Sequence, residues 1–289
     1  MATISADSLA AAARGLMLAG RWADAADLLS AAAPDSDAER AVLAVSAAAV
    51  AIEQDFFIKT TRGSSALARA SATIGGAPAE VVFDLDFLAL KHDYNAELFG
   101  PPSASFAATF SSPAWRTPEA AAALAARAGV LRDRAPDDVR RAWATFYAGV
   151  IAELLAGDPD SARSYYTDAL RLGESSGDDL VVSYAARHLG YLAHGDGDRD
   201  AARALLQRSL ELRQRLGCVP ITLAQQLALA EVDAESGPAA AATAARAVAE
   251  VIRGWAGQAF PGSWLVLAAE GLLVSASASA SSDSDSADG

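Results

Sequence analysis

Apolar and small residues recur at three- and four-residue steps along most of this chain, the spacing that puts them on one face of a helix. The pattern predicts helices over residues 37–56 and 78–98, with shorter partners at 64–73 and 118–134. From about residue 137 the pattern becomes periodic. Gly157, Gly197 and Gly237 stand 40 residues apart, each between two helical segments. Ala162, Ala202 and Ala242 follow five residues later, then Ala169, Ser209 and Ala249, then Leu172, Leu212 and Ile252. Four coincident columns define a repeated unit.

The unit is a helix hairpin. Glycine ends the first helix because it enters the left-handed conformation without a Cβ clash. Small residues at the next two columns let the second helix approach the first, and Tyr166 and Leu206 fill the seam between them. Acids in the turns, Asp158 and Asp160, then Asp196 and Asp198, stand where the following helix N-terminus favours negative charge. Arg246 breaks the column, marking the approach to the end of the array.

Leu189, Gly190, Gly197, Asp198, Ala202, Leu206 and Ser209, together with Ala13, Gly20, Trp22, Ala25, Leu29 and Ala32, resemble the tetratricopeptide repeat family. The period is that of its longer variant in bacterial regulators and signalling proteins. The resemblance is strong over residues 137–256, fair over 6–33 and weak between. It implies an all-α solenoid of about six antiparallel helix hairpins, and a helix at 264–274 that covers the last one. Three regions are expected: irregular hairpins over 1–135, regular repeats with the capping helix over 136–274, and a disordered acidic Ser/Ala/Asp tail over 275–289. A loop at 100–118 with four prolines and Phe106, Phe110 and Trp115 is expected to pack, ordered, on the hairpins.

Composition narrows the function classes. About a quarter of the chain is alanine, the strongest helix former. With 23 basic and 36 acidic side chains the formal charge is −13, which disfavours nucleic acid as the main partner. The single cysteine, Cys218, forms no disulfide within the chain and suits a reducing, cytoplasmic setting, and no secretory leader is apparent. The longest apolar stretches, near 41–52 and 264–274, fall short of the roughly 20 residues that span a bilayer, so no membrane partner is expected. Only Lys59 and Lys91 are lysines, which leaves 23 − 2 = 21 arginines.

Two groups of residues are candidates for chemistry. Tyr184, Arg187, Tyr191 and His194 share one helix face, which the family resemblance places in the concave groove; the equivalent positions 40 residues away include Tyr147, Ile151, Leu227 and Glu231. Tyrosine and arginine anchor many interfaces, so this face fits a protein or peptide partner; otherwise the tyrosines pack between neighbouring hairpins. In the helix over 83–98, Phe83, Phe87, Leu90, Tyr94 and Leu98 form one apolar face and Val81, Leu85 and Leu88 the opposite one, beside His92. Asp86, Asp93 and Glu97 run along the border between them, with Arg62 and Arg69 as the expected ion partners. Left unpaired, such carboxylates would raise one another's pKa and could serve a small-molecule or cation site. His92 alone is more often a satisfied core histidine.

The expected function is a non-enzymatic interaction module without cofactor or resident metal; a small-molecule sensor or enzyme using the acidic strip is the alternative, and self-association a third. Asp196, Asp198 and Asp200 imitate the start of a calcium loop, but Ala201 and Gln207 occupy its glycine and bidentate-acid positions, so they predict a helix cap. Arg132, Arg134, Arg140 and Arg141 are interleaved with Asp133, Asp137 and Asp138, which leaves little net positive charge.

Overall fold

The computed structural model describes residues 4–100, 116–236 and 239–273, with side chains left undescribed at 234–242. The expectations for the 100–118 loop, the tail and the Gly237 turn therefore lie largely or wholly outside the described residues. Every regular element among those described is helical. In chain order they are α1 (Ala6–Leu18), α2 (Trp22–Ser30), α3 (Asp37–Ile58), α4 (Gly63–Thr73), α5 (Ala79–Phe99), α6 (Pro118–Arg134), α7 (Asp138–Ile151), α8 (Pro159–Ser176), α9 (Asp179–Gly195), α10 (Arg199–Arg215), α11 (Val219–Ser236), α12 (Ala239–Ala259) and α13 (Trp264–Leu273). Successive pairs from α1/α2 to α11/α12 make six hairpins. The chain divides into two compact units, Met1–Ala185 and Ala186–Gly289, with the division falling inside α9.

In the first unit α3 is the central helix and packs against α1, α2, α4 and α5. Ser36 caps it, accepting from the Glu39 N–H at 3.2 Å. One of its faces, Val45, Ala48 and Ile52, meets Ala66 and Ala70 of α4 and Leu85 and Leu88 of α5. Trp22 of α2 stacks on Phe57 with ring centroids 5.5 Å apart. The expectation that every apolar stretch falls short of a membrane span does not hold for α3. The helix runs past Ile52 to Ile58, 22 residues in all, and its most apolar window has a mean hydropathy of 1.7. Its contacts with α1, α2, α4 and α5 bury 39% of that window.

The two-faced pattern of α5 is realised. Leu85 and Leu88 join the α3/α4 core, while Phe83, Leu90 and Tyr94 are buried elsewhere along the helix. Between α7 and α8 the helix widens into a π turn over Ala152–Ala156, which ends at Gly157 in the left-handed conformation (φ 68°). Gly177, Gly197 and Gly217 also have positive φ, so from 157 to 217 a left-handed glycine closes a helix every 20 residues. The 40-residue columns are every second turn of this series.

In the second unit Gly190 of α9 lies against Leu206 of α10, where the repeat columns place the seam. Asp198 caps α10 by accepting from the Ala201 N–H at 3.0 Å, the role expected of it in place of calcium. α13 covers the last hairpin, its Ala269 packing with Leu227, Ala249 and Ile252.

Candidate binding face

The first helices of successive hairpins in the first unit, α3, α5, α7 and the start of α9, are joined by a row of ionic and aromatic contacts. Glu53 of α3 accepts from Lys91 Nζ of α5 at 2.5 Å, with 12% and 19% of the two side chains exposed. Burial would lower the Lys91 pKa, but Glu53 and the nearby Tyr184 phenol outweigh it, so the ammonium is held above its ordinary value. One turn before Lys91 on α5, Phe87 meets Tyr147 of α7 edge-on at 5.1 Å, and Tyr94 meets the same ring at 5.5 Å. Trp143 and Phe146 of α7 both pack on Tyr184, at 5.5 and 5.4 Å. Trp143 is fixed by donating its indole N–H to Asp178 at 2.9 Å.

Exposure divides this row. Phe87, Lys91, Trp143 and Tyr184 are half-buried, whereas Tyr147 is buried. Ile151 is fully buried and offers no surface. Its helical period is right, but an inner helix is covered on more than one side. Burial pushes the phenol pKa of Tyr94, Tyr147 and Tyr166 well above the ordinary value. Tyr166 also donates to Glu153 in the π turn at 2.5 Å, close to a carboxylate that opposes its ionisation.

Residues expected on the groove in the second unit form a local network. Arg187 donates to the Ala224 carbonyl at 3.1 Å, to Gln225 Oε1 at 2.8 Å and to the Tyr191 hydroxyl at 3.1 Å. Its guanidinium also lies 4.9 Å from the Tyr191 ring centroid. Gln225, fully buried, donates to the Leu206 carbonyl at 3.0 Å and accepts from Ser209 at 3.3 Å. Arg187 thus ties α9 to α11, an intramolecular role that the sequence did not assign to it. Tyr191 and His194 are half-buried and Glu231 is exposed. Leu227 sits in the core under α12 and α13 and is not a surface residue.

The acidic strip has partners other than those expected. Asp86 pairs with Arg134, and Asp93 with Arg127 at 2.6 Å, both from α6. Asp84 takes a two-pronged contact from Arg140 of α7 at 2.7 Å on each oxygen. Arg62 and Arg69, on the other side of α5, meet none of these acids, because burying Leu85 and Leu88 against α3 and α4 turns the acids toward α6. The Nε2 of His92 lies 2.9 Å from the Ser64 hydroxyl, and its Nδ1 donates to Asp93 at 3.1 Å. That contact and Arg127 hold Asp93 below the usual carboxylate pKa despite partial burial. Glu97 is likewise engaged, and among the described residues no group of three or more His, Cys, Asp or Glu side chains is placed to hold a metal.

Sequence reasoning missed Glu53, Phe87, Lys91 and Trp143 as parts of this row. A signal existed for two of them: Glu53 interrupts the apolar run of α3, and Lys91 is one of only two lysines.

Residues 141–215 match the model of the tetratricopeptide repeat family. No curated protein matches the chain. Among solved structures, a signal transduction ATPase with numerous domains carrying a tetratricopeptide repeat sensor, from Pyrococcus horikoshii, is similar over 89% of this chain at 14% identity and a TM-score of 0.49. The similarity covers 36% of that protein's own length.

Proposed function

We propose, from the tetratricopeptide repeats that this chain carries over 141–215, that it is a non-enzymatic binding module. It takes a segment of another protein on the row formed by Phe87, Lys91, Trp143 and Tyr184. Tetratricopeptide repeats generally mediate contacts between proteins. The observation that carries the choice of face is the set of half-buried aromatics backed by a fully packed second layer, Tyr147 and Phe146. Rigid aromatics held in this way lose little entropy on binding. The Lys91–Glu53 pair adds a fixed dipole beside them.

Affinity capture from the native host, comparing the parent chain with a Trp143→Ala/Tyr184→Ala variant and an Asp86→Asn control, tests this. A protein held by parent and control but lost from the double variant supports the assignment, provided circular dichroism shows an unchanged fold. Equal capture by all three overturns it.

A further inference from the structure

A second depression lies in the first unit on the side of the second helices, away from the row just described. The spread of α2 from α4 opens a cavity of about 470 Å³ over α3. Leu29, Leu43 and Val50 line it together with small residues of α3, Ala44, Ala47 and Ala51. Arg40, Arg62 and Arg69 also line it, and none of its 15 lining residues is acidic. In a chain where acids outnumber bases 36 to 23, an acid-free surface holding three arginines departs from the average charge.

These arginines differ in how they are employed. Arg40 pairs with Asp37 in the first turn of α3. Arg62 and Arg69 are exposed, and among the described residues no carboxylate or carbonyl accepts from either guanidinium. Asp55 is occupied in capping α4: it accepts from the Arg62 backbone N–H at 3.0 Å and the Gly63 N–H at 2.7 Å. Arg62 and Arg69 are separated by seven residues of α4, roughly two turns and about 10 Å along the axis.

We propose that this depression is a docking site for an acidic amphipathic helix of a partner protein. Its apolar face would rest on the half-buried Ala44, Ala47 and Ala51 of α3, and its carboxylates would reach Arg62, Arg69 and, at the far end, Arg40. Shape decides for a helix over a compact anion. The lining of α3 from Arg40 to Gln54 covers 14 residue steps, about 21 Å, too long for one small carboxylate or phosphate to touch both ends. The alanines of α3 leave room for a second backbone to come close, and two guanidiniums a helical heptad apart match carboxylates at the same spacing.

The test uses the full chain and fluorescence anisotropy with three labelled or competing probes. The first is a 14-residue (about four-turn) helical peptide with leucines on one face and glutamates on the other. The second is the same peptide with lysine in place of glutamate, and the third is unlabelled inorganic phosphate or succinate as competitor. The glutamate peptide should bind, weaken with added salt and lose at least about tenfold in affinity in Arg62→Glu/Arg69→Glu, a surface change that leaves the helical spectrum intact. The Trp143→Ala/Tyr184→Ala variant should bind it undiminished, which separates this site from the aromatic row. No binding of the glutamate peptide, equal binding of the lysine peptide, full affinity in the double-Glu variant, or displacement by millimolar phosphate or succinate overturns the proposal.

Discussion

Gly149 of α7 lies so close to the Tyr166 ring of α8 that a Cβ added there would stand 2.5 Å from one ring carbon and 2.7 Å from the next. Tyr166 cannot withdraw, since it is fully buried and its hydroxyl is held by Glu153. Gly149→Ala should therefore destabilise the chain by about 1–3 kcal/mol through overpacking. Gly129→Ala, at a helical glycine with open space around it, should not destabilise. Urea denaturation of the two variants checks the contrast; equal midpoints would contradict it.

Breaking the Glu53–Lys91 pair one side at a time should be costly. Either Glu53→Gln or Lys91→Met leaves a charge with little solvent, and each is expected to lose about 3–5 kcal/mol. The Glu53→Gln/Lys91→Met double variant should lose clearly less than the sum. A double-mutant cycle by chemical denaturation measures the coupling, and strict additivity would refute it.

Alkaline pH should unfold the protein earlier than loss of surface pairing alone would. Tyr94, Tyr147 and Tyr166 have folded pKa values raised well above the unfolded phenol value. Their contribution is complete below about pH 10 and declines as pH rises toward the folded values, by up to about 1.4 kcal/mol per tyrosine per pH unit. Lys91, also raised, loses its contribution in the same direction. Melting temperature should fall steeply above about pH 10, with part of the tyrosinate absorbance appearing only on unfolding. Phenylalanine at Tyr94 and Tyr147 together should flatten that fall.

At acid pH Asp93 is one of the carboxylates, with Asp137 and Asp158, whose pKa is held down in the folded chain. Its folded pKa is depressed, so its contribution is present above the unfolded carboxylate value near 4 and is lost as pH falls through the folded value. The pair is half exposed, so Asp93→Asn should cost no more than about 1 kcal/mol and flatten only the acid limb of the pH–stability curve. Calcium or magnesium should leave the melting temperature of the parent and of Asp86→Ala/Asp93→Ala unchanged. A cation-dependent shift that the double variant abolishes would restore the small-molecule reading of the strip.

The repeat columns were legible because their demands are local. Gly157 and Gly197 take positive φ, and Ala162, Ala202, Ala169 and Ser209 are all fully buried at helix crossings. A turn that needs a left-handed residue, or a crossing that has no room for a large one, leaves its mark at a single position. The ion partners of α5 were not legible. An arginine from the preceding hairpin or from the second helix of the same one could equally reach Asp86 and Asp93, and the choice depends on how α5 is rotated between two cores. Ile151 and Leu227 show the same limit: periodicity assigns a face, but not whether a later helix covers it. Arg62 and Arg69 could be recognised as surface charges, while the opening between α2 and α4 that gathers them has no sequence signature.

Both lysines of the chain serve the same helix pair: Lys91 reaches from α5 to Glu53 of α3, and Lys59, at the left-handed C-cap of α3, donates to the Phe99 carbonyl at the end of α5 at 3.3 Å. Amine-directed chemistry consequently has just two side-chain targets in this molecule, and both sit at the α3–α5 seam. An acylating label or an immobilising resin would not coat the surface at random, and slow modification at Lys91 would count the separations of that seam one event at a time.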